Sequence, residues 1–126
     1  QSRPPAGISN DEQERLLVQL SDFMQDERPY LNPNLTVADL AKPLGVHART
    51  LSQLINTSHN CNFLEYINRH RIEYAKEELA NHPTKSILDV AYDSGFNSKS
   101  TFNTAFKRFV QLTPTGFRRS LPSSFH

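Results

Sequence analysis

The stretch from Ser86 to Arg119 decides the fold, and it reads SILDVAYDSGFNSKSTFNTAFKRFVQLTPTGFRR. Its first part repeats an earlier stretch, residues 36–55, which reads TVADLAKPLGVHARTLSQLI. The copies pair at an offset of 50 up to the turn and of 51 after it, as Thr36 with Ser86, Asp39 with Asp89, Leu40 with Val90, Ala41 with Ala91, Gly45 with Gly95, Val46 with Phe96, Leu51 with Phe102 and Ile55 with Phe106. Each copy holds a capping box, an apolar pair, a glycine that permits a tight turn, and a second helix with apolar residues four apart. The pattern predicts two helix-turn-helix units; a generic helical hairpin repeated for packing is the alternative.

The rest of the chain is also predicted to be helical. No segment alternates with period two for long enough to form a strand, so we expect an all-α fold of about seven helices. The two helix-turn-helix subdomains are predicted to be joined by a long linker helix. The predicted segments are a linker at 1–9, an amphipathic helix and loop at 10–34, the first subdomain at 35–61, the linker helix at 62–82, the second subdomain at 83–120 and a tail at 121–126.

Capping residues and prolines predict where individual helices begin and end. The first helix is expected at 10–25, and the first recognition helix at 47–56, followed by a polar loop at 57–61. Asn62 is expected to cap the linker helix. Pro43 lies inside the preceding short helix, where it removes a backbone hydrogen bond and favours a kink.

The charge of the chain is small in sum but unevenly distributed. The 126 residues carry a formal net charge of +1. Residues 1–45 hold four cations and seven anions, whereas residues 46–126 hold ten cations and six anions, and no carboxylate side chain follows Asp93. This asymmetry favours a C-terminal half that faces an anion, although a solvated basic tail has the same composition.

The outward faces of the two predicted recognition helices carry hydrogen-bond donors and no acid. With the Leu and Phe residues turned inward, a rotation of about 100° per residue places Arg49 and Gln53 outward on the first helix. Arginine and lysine can read guanine, and glutamine and asparagine can read adenine, in the major groove. The predicted base-contacting residues are Arg49, Ser52, Gln53, Lys99, Ser100, Asn103 and Thr104.

A second set of residues is predicted to contact phosphates rather than bases. Helix N-termini present free N–H groups, and cations near the recognition helices have no obvious base partner. The predicted phosphate-contacting residues are Thr36, His47, Ser86, Ser98, Lys107, Arg118 and Arg119. Arg71 and Glu78 on the linker helix are expected to form salt bridges instead. That helix of about 20 residues spans about 30 Å, close to one turn of B-DNA, so it could set the recognition helices into successive major grooves.

These residues resemble the AraC/XylS family of bacterial transcription regulators over about residues 35–119. The strongest match is Ile87-x-x-Val90-Ala91-x-x-x-Gly95-Phe96-x-Ser98-x-x-x-Phe102-x-x-x-Phe106-Lys107, followed by Thr113-Pro114-x-x-Phe117-Arg118. The resemblance implies sequence-specific binding of double-stranded DNA by two recognition helices, at the base-contacting positions given above. Asn60 and Gln111 stand where the family often has glycine. Asparagine tolerates the left-handed conformation better than glutamine does.

The resemblance also implies partners outside this chain. Family members usually carry a separate sensory domain, so we expect the chain to be the DNA-binding part of a longer regulator. The isolated domain is expected to be monomeric and cytoplasmic, or held at the inner membrane face if the full protein has a membrane sensor. RNA polymerase is a further expected partner.

Other functions fit the sequence less well. Cys61 beside His59 is the only close cysteine–histidine pair, and it lies in a polar stretch without an evident oxyanion hole, so no catalytic residue is predicted. The five histidines show no zinc-ligand spacing, and neither a metal nor a cofactor is expected. The rival interpretation is a helical protein-interaction module with nonspecific DNA affinity.

Overall fold

The computed structural model describes residues 9–122 as seven α-helices and one 3₁₀ turn, without a β-strand in that range. The predicted all-α fold is therefore confirmed. The predicted linker at 1–9 and tail at 121–126 lie mostly outside the described residues. The elements are α1 (Asn10–Glu27), a 3₁₀ turn (Pro29–Leu31), α2 (Val37–Leu44), α3 (Ala48–His59), α4 (Phe63–Asn81), α5 (Ile87–Asp93), α6 (Lys99–Val110) and α7 (Pro114–Ser120).

Side-chain caps fix most of the helix starts as the sequence predicts. At α2, the Thr36 hydroxyl accepts a hydrogen bond from the Asp39 N–H at 3.1 Å, and the Thr36 N–H donates to the Asp39 carboxylate at 3.1 Å. A capping box of the same kind, built on Ser9, begins α1. At α4, the side-chain oxygen of Asn62 accepts from the Glu65 N–H at 2.8 Å. These bonds satisfy N–H groups that have no partner within the helix.

Two helices run further than predicted, and one proline is tolerated. α3 continues to His59, so the prediction of a loop at 57–61 is wrong for its first three residues. The Thr57 hydroxyl donates to the Gln53 and Leu54 carbonyls at 3.0 and 3.2 Å, which satisfies this polar side chain without leaving the helix. α1 likewise ends at Glu27 rather than at Gln25. In α2, Pro43 is the penultimate residue, and the helix continues past it to Leu44.

The chain divides into two compact units between Ile67 and Asn68, inside α4. The first unit contains α1, α2, α3 and the start of α4. Its buried apolar residues include Leu16, Leu20, Met24, Tyr30, Leu40, Ala41, Leu51, Leu54, Ile55, Tyr66 and Ile67.

The second unit contains the remainder of α4 together with α5, α6 and α7. Its core is aromatic: the Phe102 ring lies 5.3 Å from Phe96 and 5.6 Å from Phe106, between ring centres. Phe106 lies in turn 5.6 Å from Phe117 of α7. The buried members of this cluster are Ile72, Ala75, Leu79, Val90, Ala91, Phe96, Phe102, Ala105 and Phe106.

Candidate nucleic-acid interface

The first unit contains a helix-turn-helix built around Gly45. This glycine has a φ of 71°, and its N–H donates to the Lys42 carbonyl at 3.1 Å, while the Val46 N–H reaches the Ala41 carbonyl at 3.3 Å. A Cβ at Gly45 would meet no atom within 4 Å. The left-handed backbone, and not lack of space, is therefore what requires glycine in this turn.

α3 follows that turn and is buried on one side only. Leu51, Leu54 and Ile55 are all 0% exposed, because they form the inner face of the helix. The predicted base-contacting residues lie on the rest of the surface: Arg49 is exposed, and Ser52 and Gln53 are half-buried. The packing of α3 thus leaves these three side chains toward solvent, as the periodicity predicts.

The second unit repeats the arrangement with different inner residues. Gly95 has a φ of 99°, and the Phe96 N–H donates to the Ala91 carbonyl at 3.1 Å. The hydroxyl of Ser98 caps α6 by accepting from the Thr101 N–H at 3.1 Å. Phe102 and Phe106 lie on the inner face of α6 and are fully buried, so this helix also packs against the core through one face only.

The outward face of α6 carries the second set of predicted base-contacting residues. Lys99, Ser100 and Thr104 are exposed, and Asn103 is half-buried. Lys107, one turn further along, is also exposed. Neither α3 nor α6 contains an aspartate or a glutamate, so both faces offer donors without a competing carboxylate.

Six of the seven residues predicted to contact phosphates fall into two groups in the structure. His47, Lys107 and Arg119 are exposed and lie within or next to the ends of helices. Thr36 and Ser86 use their hydroxyls to cap α2 and α5, and Ser98 does the same for α6. A hydroxyl that accepts a cap bond keeps its own proton for another acceptor, and at Ser98 that acceptor is the Thr101 hydroxyl at 3.0 Å.

Arg118 has a structural partner that the sequence did not indicate. Its guanidinium donates to the His82 carbonyl at 3.1 Å, which ties α7 to the end of α4 within the second unit. The side chain is half-buried, and its Nε has no hydrogen-bond partner. A phosphate contact by Arg118 remains a prediction, but this side chain already stabilises the fold.

Two further charged groups of the second unit have partners within the fold. Lys85 donates to Glu78 at 2.6 Å and also pairs with Asp93, and these bonds raise the pKa of Lys85. The predicted salt bridge of Glu78 is thereby identified. Arg71 is buried, donates to the Asn68 side chain at 3.1 Å and lies 5.8 Å from the centre of the Phe96 ring, and burial lowers its pKa.

The cysteine that the sequence singles out lies in the interior of the first unit, near a buried tyrosine. Cys61 is buried in the first unit, and burial raises the pKa of the nearby Tyr66 to about 12, with a smaller contribution from Cys61. Within residues 9–122, no group of three His, Cys, Asp or Glu side chains could hold a metal ion. No helix in that range is long and apolar enough to cross a membrane.

The structure thus contains two pairs of helices, each joined by a turn at a glycine. In each pair the second helix exposes a face without acidic side chains. These features are typical of DNA-binding proteins of the helix-turn-helix class. Comparison with known proteins agrees: a family model described as a helix-turn-helix domain matches residues 40–120, more than half of the chain. The chain belongs to the AraC-type family of helix-turn-helix domains, which are DNA-binding domains of transcriptional regulators. Domains of this type bind double-stranded DNA.

Curated relatives share this region but are longer. Over 112 residues the chain is 31% identical to the HTH-type transcriptional regulator ExsA of Pseudomonas aeruginosa, covering 89% of this chain and 37% of ExsA. It is 28% identical over 116 residues to an uncharacterized HTH-type transcriptional regulator of Staphylococcus aureus (strain MSSA476), covering 92% of this chain and 15% of that protein. The chain therefore spans well under half of these relatives.

Solved structures share the fold. The C-terminal domain of AraT, a response regulator from Geobacillus stearothermophilus, superposes with a TM-score of 0.72 at 24% identity, covering 84% of this chain and 85% of that one. An AraC-type transcriptional regulator from Chromobacterium violaceum also gives 0.72, at 23% identity, covering 90% and 100%. At these identities the comparison establishes the shared helical architecture.

Proposed function

We propose that α3 and α6 are recognition helices that read the base sequence of duplex DNA from the major groove. The observation that carries this is the sidedness of both helices, whose inner residues are fully buried while the outer residues are donors without an acid. Side chains of these types match base edges: arginine and lysine suit guanine, and asparagine and glutamine suit adenine. The proposed base-contacting set is Arg49, Ser52, Gln53, Lys99, Ser100, Asn103 and Thr104.

The proposed phosphate contacts position these helices without reading sequence. They are Thr36, His47, Ser86, Ser98, Lys107, Arg118 and Arg119. We extend the proposal to two successive major grooves, because α4 is an unbroken helix of 19 residues and spans about 28 Å, against about 34 Å for one turn of B-DNA. A DNase footprint covering two adjacent half-sites on one face of the duplex would support this extension.

The central experiment is selection of bound sequences from a random duplex library, followed by fluorescence anisotropy on matched and mismatched duplexes. Arg49→Ala and Lys99→Ala are each expected to weaken binding to the selected site by at least about 1 kcal/mol, roughly fivefold, because each removes a base contact. Each variant is also expected to lose base preference at one position. Arg15→Ala, an exposed arginine of α1, is the matched control for the loss of one positive charge.

The result that contradicts the site is unchanged affinity and unchanged base preference in both variants. Affinity for duplex DNA that does not fall as salt is raised from about 50 to about 200 mM contradicts DNA binding itself. That outcome would favour a protein-interaction module, whereas a module with only nonspecific DNA affinity would lose affinity with salt but bind matched and mismatched duplexes alike.

We further propose that this domain acts within a longer, cytoplasmic regulator, which fits the share of its relatives that it spans. In that setting a regulatory part would control the domain, and RNA polymerase would be its partner at the promoter. The isolated domain is proposed to be monomeric. Sedimentation equilibrium with and without the selected duplex measures this directly, and a protein dimer in the absence of DNA would contradict it.

A further inference from the structure

Lys85, in the loop between α4 and α5, joins two helices of the second unit. Its ammonium group donates to the carboxylate of Glu78, in the last turn of α4, at 2.6 Å, and it also pairs with the carboxylate of Asp93, the last residue of α5. The side chains of Lys85 and Glu78 are only 25% and 16% exposed. One half-buried ammonium thus links two carboxylates from different helices, an arrangement that we call the Lys85 bridge.

The backbone that carries Lys85 is fixed as well. The Lys85 N–H donates to the His82 carbonyl at 3.0 Å, and the His82 N–H donates to the Glu78 carbonyl at 3.0 Å. The guanidinium group of Arg118 reaches the same His82 carbonyl from α7 at 3.1 Å. The loop is therefore bonded to both α4 and α7, and the Lys85 bridge holds the end of α5 to this fixed point.

Asp93 lies directly before the turn that leads into α6. Ser94 and Gly95 follow it, and the Phe96 N–H donates back to the Ala91 carbonyl of α5 at 3.1 Å. Because the turn is short and Gly95 is held at a φ of 99°, the orientation of α5 is passed on to α6. An ion pair that holds Asp93 therefore also orients the proposed recognition helix.

A comparison of the two units separates the Lys85 bridge from what a helix-turn-helix requires. At the repeat offset of 50, Leu35 and Pro43 of the first unit stand in the places of Lys85 and Asp93, and neither carries a charge. The first unit nevertheless forms the same turn, at Gly45. Partly exposed ion pairs contribute little to stability, whereas polar groups within a fold can select one arrangement of its parts. The bridge thus serves the placement of the second unit's helices.

We propose that Lys85 is a positioning residue for DNA recognition: through Glu78 and Asp93 it sets the orientation in which α6 presents its outward side chains to the bases. Lys85 itself does not contact the DNA, because its ammonium group is shared by two carboxylates. The proposal rests on the proposed function, since it takes α6 as a helix that reads bases. A base contact needs its donor within about 3 Å of the base edge, so a small rotation of α6 reduces discrimination between bases.

The test measures affinity by anisotropy in Lys85→Met and Asp93→Asn, on the selected duplex and on duplexes with single mismatches across it. Lys85→Met keeps an unbranched side chain, and Asp93→Asn removes one ion pair while the bond from Lys85 to Glu78 remains. In both variants the ratio of matched to mismatched affinity is expected to fall about three- to tenfold within one half-site, which is part of what a good base contact provides. Discrimination at the base pair that Arg49→Ala affects should stay unchanged, because α3 belongs to the first unit.

Lys76→Met is the matched control for the loss of one lysine and its ion pair. The side chain of Lys76 is 34% exposed, and its pair with Glu73 at 3.2 Å lies within α4, so this variant releases no second helix. It should discriminate between bases as the wild type does. Lys85→Arg keeps the charge, and it should retain most of the discrimination that Lys85→Met loses.

Salt dependence and thermal melting separate positioning from other roles of Lys85. The slope of log K against log salt should be the same in Lys85→Met as in the wild type. A slope reduced by about one, with unchanged base preference, would show that Lys85 contacts a phosphate, and would overturn the proposal. A lowered melting temperature, with unchanged discrimination at a temperature where the variant is folded, would show a structural role only and would also overturn it.

Two further outcomes are decided by other proteins in the series. If Lys85→Met does not fold, Asp93→Asn is judged by the same criteria, and unchanged discrimination in that variant overturns the proposal. Each of these results leaves the proposed function intact. A wild type that binds matched and mismatched duplexes alike would instead overturn the proposed function, and the role of Lys85 with it.

Discussion

The two helix-turn-helix units share a backbone plan and differ in what fills them. The inner face of α3 is aliphatic, with Leu51 and Ile55 in the places that Phe102 and Phe106 take in α6. All four side chains are 0% exposed. Capped first helices and glycine turns with positive φ recur in both units. The unit therefore depends on local backbone chemistry for its turn, and accepts either kind of apolar side chain in its interior.

The units also differ in how their second helices end. The residues that cap the C-terminal ends of α3 and α6, Asn60 and Gln111, are both in the left-handed conformation, with φ of 55° and 70°. Asparagine visits this region more readily than glutamine, because its short side chain can bond to the local backbone. The second unit thus combines the larger buried rings with the more strained helix end, and each of these properties can be tested separately.

The largest expected effect comes from removing one inner ring. Phe102→Ala should cost about 3–5 kcal/mol of unfolding free energy, because it empties a site between two other rings, and Leu51→Ala about 2–5 kcal/mol in the first unit. Urea unfolding gives the free energies, and amide hydrogen exchange assigned by NMR shows which helices lose protection. Leu64→Ala, at a 60% exposed position, is the control and should cost less than about 0.5 kcal/mol.

The identity of the helices that lose amide protection distinguishes the two units more sharply than the loss of unfolding free energy does. Phe102→Ala should reduce protection chiefly in α5, α6 and α7, and Leu51→Ala chiefly in α2 and α3. Equal loss of protection throughout the chain in both variants would mean that the two units unfold together. The two cores would then not contribute independently to stability.

Much of this comparison was predictable from local sequence. The offset repeat places the caps, the glycine turns and the inner residues, because each is fixed by neighbours within one or two helical turns. The outward placement of Arg49 and Lys99 follows from the same periodicity. The actual end of α3 does not, since residues 57–59 are polar and do not extend the apolar pattern, although the helix runs to His59.

Contacts of side chains with groups distant in the sequence were not predictable. Arg118 reaches the His82 carbonyl across 36 residues, and Arg69 meets the Phe109 ring across 40. Neither pair leaves a periodic signal, because each depends on how helices pack and not on the spacing within one helix. The sequence therefore predicted which faces of α3 and α6 point outward, and missed those cations that also serve the fold.

An intermediate effect is expected at alkaline pH in the first unit. Burial raises the pKa of Tyr66 to about 12, whereas an unfolded tyrosine ionises near pH 10. Between these values the unfolded chain releases a proton that the folded chain retains, so stability falls as pH rises. The loss should reach up to about 2 kcal/mol by pH 12. Urea unfolding from pH 8 to 11.5 measures it, and tyrosinate absorbance follows the ionisation.

Tyr66→Phe is the matched variant, because it keeps the ring and removes the ionisable hydroxyl. The Tyr66→Phe variant should lose less stability than the wild type as pH rises, but it should still lose some. In the second unit, the raised pKa of Lys85 gives a contribution that is present below the ordinary lysine pKa and is lost as pH rises above it. An alkaline loss that is identical in wild type and Tyr66→Phe would show that Tyr66 ionises freely in the folded protein.

The smallest expected effect is a gain in stability at the helix ends. Gln111→Gly should stabilise the protein by about 0.5–1 kcal/mol, because glycine adopts a positive φ without the steric cost that a Cβ imposes. The side chain of Gln111 donates one exposed bond, 3.3 Å long, to the Arg108 carbonyl, and its loss offsets little of that gain. Asn60→Gly should gain less, since asparagine already tolerates this conformation.

Differential scanning calorimetry of the two variants measures both gains. Gln19→Gly, at an exposed position inside α1, makes the same chemical change in a right-handed helix and should destabilise by about 0.5–1 kcal/mol. Opposite signs at positions 19 and 111 would show that backbone conformation, and not side-chain chemistry, decides the outcome. A larger gain from Asn60→Gly than from Gln111→Gly would place the greater strain in the first unit, and would reverse the ranking of the two helix ends.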